Sequence, residues 1–474
     1  MNSDFIRRLL GKIWADERLR LRVLLMGAFL IRLLPIIPFG NNITTPYRDQ
    51  NTYYLLGRAI AEEGFFGATE NPRGPYIEFR NRNPHPEGFY PTFHDSMAAA
   101  WDAEHRFYGI VEWGKPSSYW EPLYPLLTAG LWILFGDHFF FWRLIHVLIG
   151  TILVYFVYDI GKRAFRDPRV GFWAALITCF YPHILFYSWF LMAEGLLLFL
   201  LAAAFWAYFR LLEEPRWYWA LLIGVGFAAF SLTRSFLILF FPVMLVLILL
   251  FVRSPKRWGL AAIAALGFII TFTPWVVRNY RVHDELVILS SRGGYNLWMR
   301  NNPYFIEDEW KAMGVAFSPE ELAKLEKHDY LLGYPPFTPE QDELERNKIL
   351  TAAGTAFIKA NPGFFLKLCW VRFLWTIGYK GIGLGRVGNF VSLLTYGPVL
   401  LGFLFSLLIG WRHLQTMLPF WLVVSYFILF YTLFHEGLRY RVPVDPYMII
   451  LAVFSALWIY DRYLSKNGLT DARK

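Results

Sequence analysis

Long apolar stretches dominate the chain. They lack the regularly spaced polar positions that an amphipathic helix of a soluble protein has. Examples are LLLFLLAAAFWAYF from Leu196, FLILFFPVMLVLILLF from Phe236 and GLAAIAALGFIITFTPW from Gly259. About 20 residues at 1.5 Å each cross the ~30 Å hydrocarbon layer, and a backbone in lipid must satisfy its own hydrogen bonds. The pattern predicts an all-α polytopic membrane protein rather than a soluble protein with buried core helices.

Ten transmembrane helices are predicted, separated by two long polar segments. The predicted spans lie at about 20–38, 142–160, 170–187, 190–211, 217–233, 235–252, 258–275, 392–410, 416–434 and 443–460. The polar segments lie at about 41–120 and 276–365. We therefore expect an N-terminal transmembrane module at 1–275 that includes the first loop, a second loop with an interfacial helix at 276–391, and C-terminal transmembrane helices with a tail at 392–474.

Clusters of Lys and Arg predict which side of the membrane each loop faces, because such residues are retained on the cytoplasmic side. Clusters precede the first span and recur at 162–169, 210–216 and 253–257. These clusters share one side only if the apolar stretch at about 122–136 lies on the outer surface as an interfacial helix. The charged residues at 411–413 and 461–466 share that side only if the stretch at about 364–382 does the same. Both termini are then cytoplasmic and both long loops extracytoplasmic. Loop lysines and arginines also account for the net charge of +9, so nucleic acid is not expected as a partner.

Two acidic residues stand where the first loop meets the membrane. Asp49 lies near the start of an amphipathic helix just after the first span, and Glu121 lies at the entry to the first interfacial helix. A carboxylate at this depth can act as a general base toward a substrate hydroxyl. The alternatives stay open: Asp49 as a helix cap, and Glu121 as a charge that complements the helix dipole.

Within the spans, Glu194 and Arg234 fall near predicted outer ends. Ionisable groups at membrane depth are costly and usually face a polar cavity or a partner. These two are candidate substrate-binding residues. The alternative is that their side chains extend to the interface.

Several arginines are predicted on the outer side, against the usual charge bias. Arg278 and Arg372 flank the second loop, and Arg439, Tyr440 and Arg441 lie in the last hairpin. A guanidinium matches phosphate oxygens in bidentate fashion, so these residues are candidate substrate-binding groups for a lipid phosphate. For the last hairpin, an ordinary ion pair with a neighbouring carboxylate is the alternative.

No residues are assigned to a metal or to a disulfide. Histidines and acids between His85 and His105 in the first loop match no recognised ligand spacing, so a solvated loop is the preferred interpretation. Cys179 and Cys369 form no framework. We expect no obligatory cofactor, and the sequence leaves a requirement for a divalent metal open.

A series of short motifs follows one order along most of the chain. The motifs are the acidic residue after the first span (Asp49), E-P-x-x-P from Glu121 to Pro125, the segment from Arg143 to Phe165, LTR at 232–234, PWVVRNY at 274–280, GGYNLWMRNNP at 293–303 and the closing RYRVPVDP. Together they resemble the GT-C superfamily of membrane glycosyltransferases, in particular the bacterial family 39 relatives of protein O-mannosyltransferases and aminoarabinose transferases.

The resemblance implies transfer of a sugar from a polyprenyl-phosphate carrier to an acceptor on the extracytoplasmic face of the cytoplasmic (inner) membrane. It implies Asp49 as catalytic base, Glu121 and Glu194 in the acceptor or sugar pocket, and Arg278 and Arg439 at the donor phosphate. Inversion at the anomeric carbon by single displacement is expected. Membrane lipids are further partners, and the acceptor is a glycan, lipid or protein.

The sequence departs from relatives immediately after Asp49. Gln50 stands where many relatives have glutamate, and Thr52 where aminoarabinose transferases have arginine, so their sugar specificity does not transfer. Two other functions stay open: a lipid-linked oligosaccharide ligase or polymerase on the same scaffold, and a non-enzymatic lipid or solute transporter. Against transport, the informative charges gather at one face and the two outer loops are unequal.

Overall fold

The computed structural model describes residues 15–38, 40–41, 48–67, 111, 114–301, 337–338, 340–380, 385–434 and 437–464; for residues 48, 49 and 51 it describes the backbone alone. Helices account for nearly all of this part of the chain, where the one extended pairing is an isolated bridge between Gly67 and Pro116. The predicted all-α class is confirmed.

The helices of the described residues are numbered in chain order. They are α1 (Glu17–Leu33), α2 (Arg48–Glu63), α3 (Leu123–Phe135), α4 (Phe139–Phe165), α5 (Pro168–Phe180), α6 (Pro182–Trp189), α7 (Ala193–Glu213), α8 (Trp217–Ser231), α9 (Phe241–Phe251), α10 (Arg257–His283), α11 (Gly293–Arg300), α12 (Glu343–Ala360), α13 (Pro362–Ile377), α14 (Gly385–Ile409), α15 (Leu414–Phe434) and α16 (Asp445–Ile459). A helix occupies each of the ten predicted span positions.

Not all of these helices are long enough to cross a bilayer as single straight spans. Five helical stretches in the described residues have the required length and apolar composition, or six if one bent pair is counted, and one of the five runs through both α14 and α15. α8 and α9 are shorter apolar helices. The chain is a multi-pass membrane protein, and several of its predicted spans are built from shortened or broken helices.

The predicted span at 170–187 is broken. It consists of α5 and α6, which are bent by 57° relative to each other. Tyr181 takes an extended conformation between them, and Pro182 opens α6. Because proline disfavours the helical conformation of the residue before it, the break follows from the sequence at this position.

The transmembrane core depends on close helix contacts. A Cβ atom added to Gly224 on α8 would lie 1.9 Å from the carbonyl oxygen of Ala264 on α10. Small residues at such positions let helix backbones approach each other, which is the main route to helix packing in lipid. Gly224 is therefore required for the contact between α8 and α10.

Ion pairs join chain segments at one end of the bundle. Lys162 at the end of α4 contacts Glu17 at the start of α1, and Arg169 pairs with Asp461 after α16 at 2.7 Å. The described N-terminal and C-terminal segments therefore lie at the same end. The residues of the candidate site lie at the opposite ends of α4, α7 and α15.

The two stretches predicted to be interfacial both form helices, α3 and α13. α3 packs on α2, where Thr128 Oγ1 donates a hydrogen bond to the carbonyl oxygen of Tyr53 at 3.0 Å. α13 presents an exposed apolar stripe of Leu366, Trp370 and Leu374. Their placement at a membrane surface stays a prediction.

Candidate functional site

A buried ion-pair cluster lies where the first loop meets the helical bundle. Glu194, in the first turn of α7, accepts hydrogen bonds from Arg439 Nε at 2.5 Å and from Arg234 at 3.2 Å. Glu194 is 2% exposed, whereas the side chains of Arg234 and Arg439 are 17% and 20% exposed. The two arginines therefore form the accessible edge of the cluster.

The cluster brings two guanidinium groups to one carboxylate. Burial of ionisable groups in a membrane protein is unfavourable, so a site of this kind is usually functional. One Glu194 oxygen is buried without a hydrogen-bond partner. The two guanidinium groups at the open edge of the cluster are suited to binding an anion.

Tyrosines and one histidine surround these charges. Tyr53 of α2 and Tyr124 of α3 meet edge to face with ring centroids 4.6 Å apart, and Tyr431 stacks on Tyr440 at 4.6 Å. The guanidinium of Arg439 lies 5.9 Å from the centroid of the Tyr440 ring. The hydroxyl of Tyr124 lies 3.1 Å from Nε2 of His146 on α4. Aromatic rings with polar tips are typical of sites that bind sugars and phosphates at an apolar boundary.

Glu121 lies next to this cluster, held by the residue that follows Arg234. Its carboxylate accepts a short hydrogen bond from Ser235 Oγ, and Ser235 N lies 3.4 Å away. Leu123 N also donates to the carbonyl oxygen of Leu232 at 2.9 Å, so the segment before α3 is fixed to the end of α8. These contacts bring the first-loop acid to Ser235, the residue next to Arg234 in the chain.

Asp49 is the second residue of α2, and its side chain lies outside the described atoms. The next residue, Gln50, is buried, and its Oε1 accepts a hydrogen bond from Leu191 N at 3.3 Å. Leu191 lies three positions before Glu194. The first turn of α2 thus runs beside the start of α7, near the ion-pair cluster.

Arg278 is bound by protein groups at the end of α10. Its guanidinium donates to the carbonyl oxygens of Ser117 and Phe66 at 2.8 and 2.9 Å and contacts the hydroxyl of Ser118 at 3.1 Å. It also lies over the Trp275 ring at 4.9 Å. In this conformation Arg278 joins the ends of the first loop, and it is separate from the Glu194 cluster in the contacts described.

Arg372 and Arg441 are fully buried. Arg372 donates to backbone carbonyls at the ends of α11 and α15. Arg441 forms an ion pair with Asp445 at 2.9 Å and donates to the carbonyl oxygen of Gly378 at 2.7 Å. Arg441 thus forms the ion pair with a neighbouring carboxylate that was the alternative interpretation for the last hairpin. Arg439 instead pairs with Glu194, which lies on a distant helix. Both buried arginines hold helix ends together around the site in the described conformation.

Sequence reasoning missed several contributors to this site. Tyr53, Tyr124, His146, Gln50 and Ser235 all line or support the cluster. A histidine inside an apolar span was the one available signal, because ionisable groups at that depth are rare. The others needed the tertiary contacts.

No group of three or more His, Cys, Asp or Glu side chains that could hold a metal ion occurs in the part of the chain that the structure describes. The acids and histidines between His85 and His105 lie outside that part. Metal dependence therefore stays open.

Comparisons with known proteins agree with this architecture. Residues 115–277 match the model of the family described as dolichyl-phosphate-mannose-protein mannosyltransferase. The matched segment runs from α3 to α10 and contains Glu121, Glu194 and Arg234. No curated protein matches the chain in sequence.

Two solved structures of an archaeal oligosaccharyltransferase share the fold at low sequence identity. The oligosaccharyltransferase AglB from Archaeoglobus fulgidus, in complex with an inhibitory peptide and a dolichol-phosphate, aligns with a TM-score of 0.53 and 13% identity, over 95% of this chain and 52% of that chain. The Archaeoglobus fulgidus enzyme tethered to an acceptor peptide aligns with a TM-score of 0.51 and 14% identity, over 94% and 51%. ArnT from Cupriavidus metallidurans, bound to undecaprenyl phosphate, aligns with a TM-score of 0.39 and 13% identity, over 92% and 77%.

The chain has the GT-C fold of membrane glycosyltransferases, which confirms the resemblance seen in its motifs. Within the chain, the segment 115–277 is similar to the family described as dolichyl-phosphate-mannose-protein mannosyltransferase. The chain spans about half the length of the AglB structures that it matches.

Proposed function

We propose that this protein is a glycosyltransferase that moves a sugar from a polyprenyl-phosphate donor to an acceptor on the extracytoplasmic face of the inner membrane. The observation that carries the proposal is the cluster of Glu194, Arg234 and Arg439 beside Glu121, at the loop-side end of a GT-C bundle. Nucleotide sugars are not available outside the cytoplasmic membrane. A lipid-delivered donor is therefore the appropriate substrate class.

The two guanidinium groups of the cluster match the donor phosphate. A polyprenyl-phosphate sugar is a phosphodiester with one negative charge, and the phosphate gains a second when its bond to the sugar breaks. Arg234 and Arg439 supply donors at the accessible edge, where Arg439 exchanges part of its contact with Glu194 for phosphate oxygens. Stabilisation of charge that develops during the reaction is the largest single contribution in many enzymes.

Asp49 is proposed as the general base. It removes the proton of the acceptor hydroxyl as that oxygen bonds to the anomeric carbon, and the electron pair of the breaking C–O bond goes to the phosphate. A single displacement of this kind inverts the anomeric carbon. The proposal is supported by the run of α2 beside the start of α7, through the contact of Gln50 with Leu191. Glu121 is proposed to bind the acceptor or sugar.

The sidedness follows the charge pattern. Both termini are proposed to be cytoplasmic, in agreement with the ion pairs that join Glu17 and Asp461 to the basic cluster at 162–169. The candidate site at the opposite end of the bundle is then extracytoplasmic.

The test is incubation of purified protein with a panel of radiolabelled polyprenyl-phosphate monosaccharides and an acceptor-rich membrane extract. We expect label to leave one lipid with the wild-type protein and to stay on the lipid with Asp49→Asn. Equal release by both proteins would remove Asp49 from the mechanism. No release from any monosaccharide carrier, followed by release from a lipid-linked oligosaccharide, would overturn the proposal in favour of an oligosaccharide ligase.

A further inference from the structure

Glu343 is a buried carboxylate that the function above does not use. It lies in the first turn of α12, in the second loop, and is 5% exposed. Its Oε2 accepts a hydrogen bond from Ser117 Oγ at 2.5 Å, and its Oε1 accepts from Ser118 N at 3.0 Å and Ser291 Oγ at 2.5 Å. A buried charge is tolerated only with such compensation, so the contacts hold the carboxylate in one position.

These contacts join segments that are distant in sequence. Ser117 and Ser118 close the first loop, Ser291 precedes α11, and Glu343 opens α12. Ser291 N also donates to the carbonyl oxygen of Ser118 at 2.9 Å. The cap of α12 is made separately by Asp342 and its neighbours in a capping box, so Glu343 is free to serve the contact between the loops.

Groups on α10 hold the same two serines from the other side. Ser118 Oγ donates to Asn279 Oδ1 at 2.8 Å and lies 2.9 Å from His283 Nε2. His283 Nε2 lies 3.9 Å from Glu343. We call Glu343 and its three serine partners the loop latch. It fixes the end of the first loop between α10 and the second loop.

The latched segment leads directly to the candidate site. Ser118 is three residues before Glu121, and the intervening Tyr119 and Trp120 are buried against Tyr295 of α11 and neighbouring residues. Three residues extend about 10 Å at most, so Glu121 stays within about that distance of Ser118. A movement of Ser118 at the latch therefore shifts Glu121 and its contact with Ser235.

We propose that Glu343 is a positioning residue for sugar transfer, acting through the loop latch to hold Glu121 at the site. The inference rests on the proposed function for its effect on catalysis, whereas the latch itself is independent of that function. Its loss is expected to misplace Glu121 while leaving Arg234 and Arg439 in place to bind the donor. A displacement of about 1 Å can lower a rate about 100-fold.

The experiment compares full-length wild type, Glu343→Gln and the milder Ser291→Ala in detergent. Glu340→Gln is the matched control, because Glu340 is an exposed glutamate three residues away. Hydrogen–deuterium exchange of the peptide covering 115–121 reports on the latch. Steady-state transfer from the polyprenyl-phosphate sugar found above reports on catalysis.

We expect faster exchange at 115–121 in Glu343→Gln, a smaller increase in Ser291→Ala and none in Glu340→Gln. We expect kcat to fall about 10- to 100-fold in Glu343→Gln with the donor KM changed less than about threefold. Combined with Glu121→Gln, the Glu343→Gln substitution should lower kcat no further, because both act through one carboxylate.

Each readout has its own contrary result. Unchanged hydrogen–deuterium exchange at 115–121 in Glu343→Gln would overturn the latch, whatever reaction the protein catalyses. Faster exchange with unchanged kcat, or with additive losses in the double variant, would overturn the positioning role. If the wild type transfers no sugar, the proposed function fails, and the exchange result alone then decides whether the latch exists.

Discussion

The fully buried ion pair between Arg441 and Asp445 allows a prediction of stability. Both side chains are 0% exposed. Arg441 also donates to the backbone carbonyls of Thr376 and Gly378 at the end of α13 and lies over the Tyr396 ring at 3.4 Å. The substitution Asp445→Asn keeps the size of the side chain but removes its charge. It leaves a buried guanidinium with carbonyl and aromatic partners only.

Removal of one partner from a buried ion pair costs about 3–5 kcal/mol, because the other charge stays buried and uncompensated. The lower end applies here, since the asparagine oxygen can still accept one hydrogen bond from Arg441. The chain offers a matched control in Asp461, which pairs with Arg169 at 2.7 Å while both side chains are nearly half exposed. An exposed pair contributes about 0–1 kcal/mol.

The assay is reversible unfolding in mixed micelles by increasing fractions of sodium dodecyl sulfate, followed by tryptophan fluorescence. Asp445→Asn should lower the free energy of unfolding by about 3 kcal/mol and Asp461→Asn by less than about 1 kcal/mol. Similar losses in the two variants would show that burial does not govern the contribution of the pair, and the reasoning would be wrong.

Three further predictions concern the site and the core. Asp49→Asn should abolish transfer while the protein still binds donor lipid, checked by radiolabel release and lipid co-purification; loss of donor binding would point to a structural role instead. Arg439→Ala should weaken donor binding more than 10-fold, and Arg439→Lys should weaken it less. Both variants lose the guanidinium group, but only Arg439→Ala also loses the positive charge. Unchanged donor affinity in a binding titration would show that Arg439 serves only as the ion-pair partner of Glu194. Gly224→Ala should destabilise the protein by about 1–3 kcal/mol through overpacking. Gly130→Ala is the control and should not destabilise it, because a Cβ atom added there meets nothing within 4 Å. Equal unfolding curves of the two variants would exclude the close contact between α8 and α10.

The hydrophobic pattern predicted the fold well because membrane helices are determined locally. A helix in lipid satisfies its hydrogen bonds within one segment, so an apolar run is sufficient to locate it. Each of the ten predicted positions holds a helix for this reason. The break between α5 and α6 was missed even though Pro182 marks it, because an apolar run by itself does not show whether a helix is straight.

The candidate site was only partly predictable. Glu194 and Arg234 could be selected individually, since charges in apolar stretches are conspicuous in sequence. That they form one cluster with Arg439 depends on the approach of the segment after α15 to the start of α7 and the end of α8, because Arg439 lies 245 positions after Glu194. The contact of Glu121 with Ser235 has the same origin.

The sequence by itself determined the class of protein, the positions of its helices and the list of charged residues that could act at the membrane surface. The tertiary structure decided which of those charged residues border the accessible edge of the Glu194 cluster and which form buried structural contacts. Arg439 and Arg441 are two residues apart in sequence. Arg439 borders the accessible edge of the Glu194 cluster, whereas Arg441 is fully buried in an ion pair with Asp445. The physical reason is that burial and ion pairing depend on the surfaces that distant helices bring together, and local sequence does not encode those surfaces.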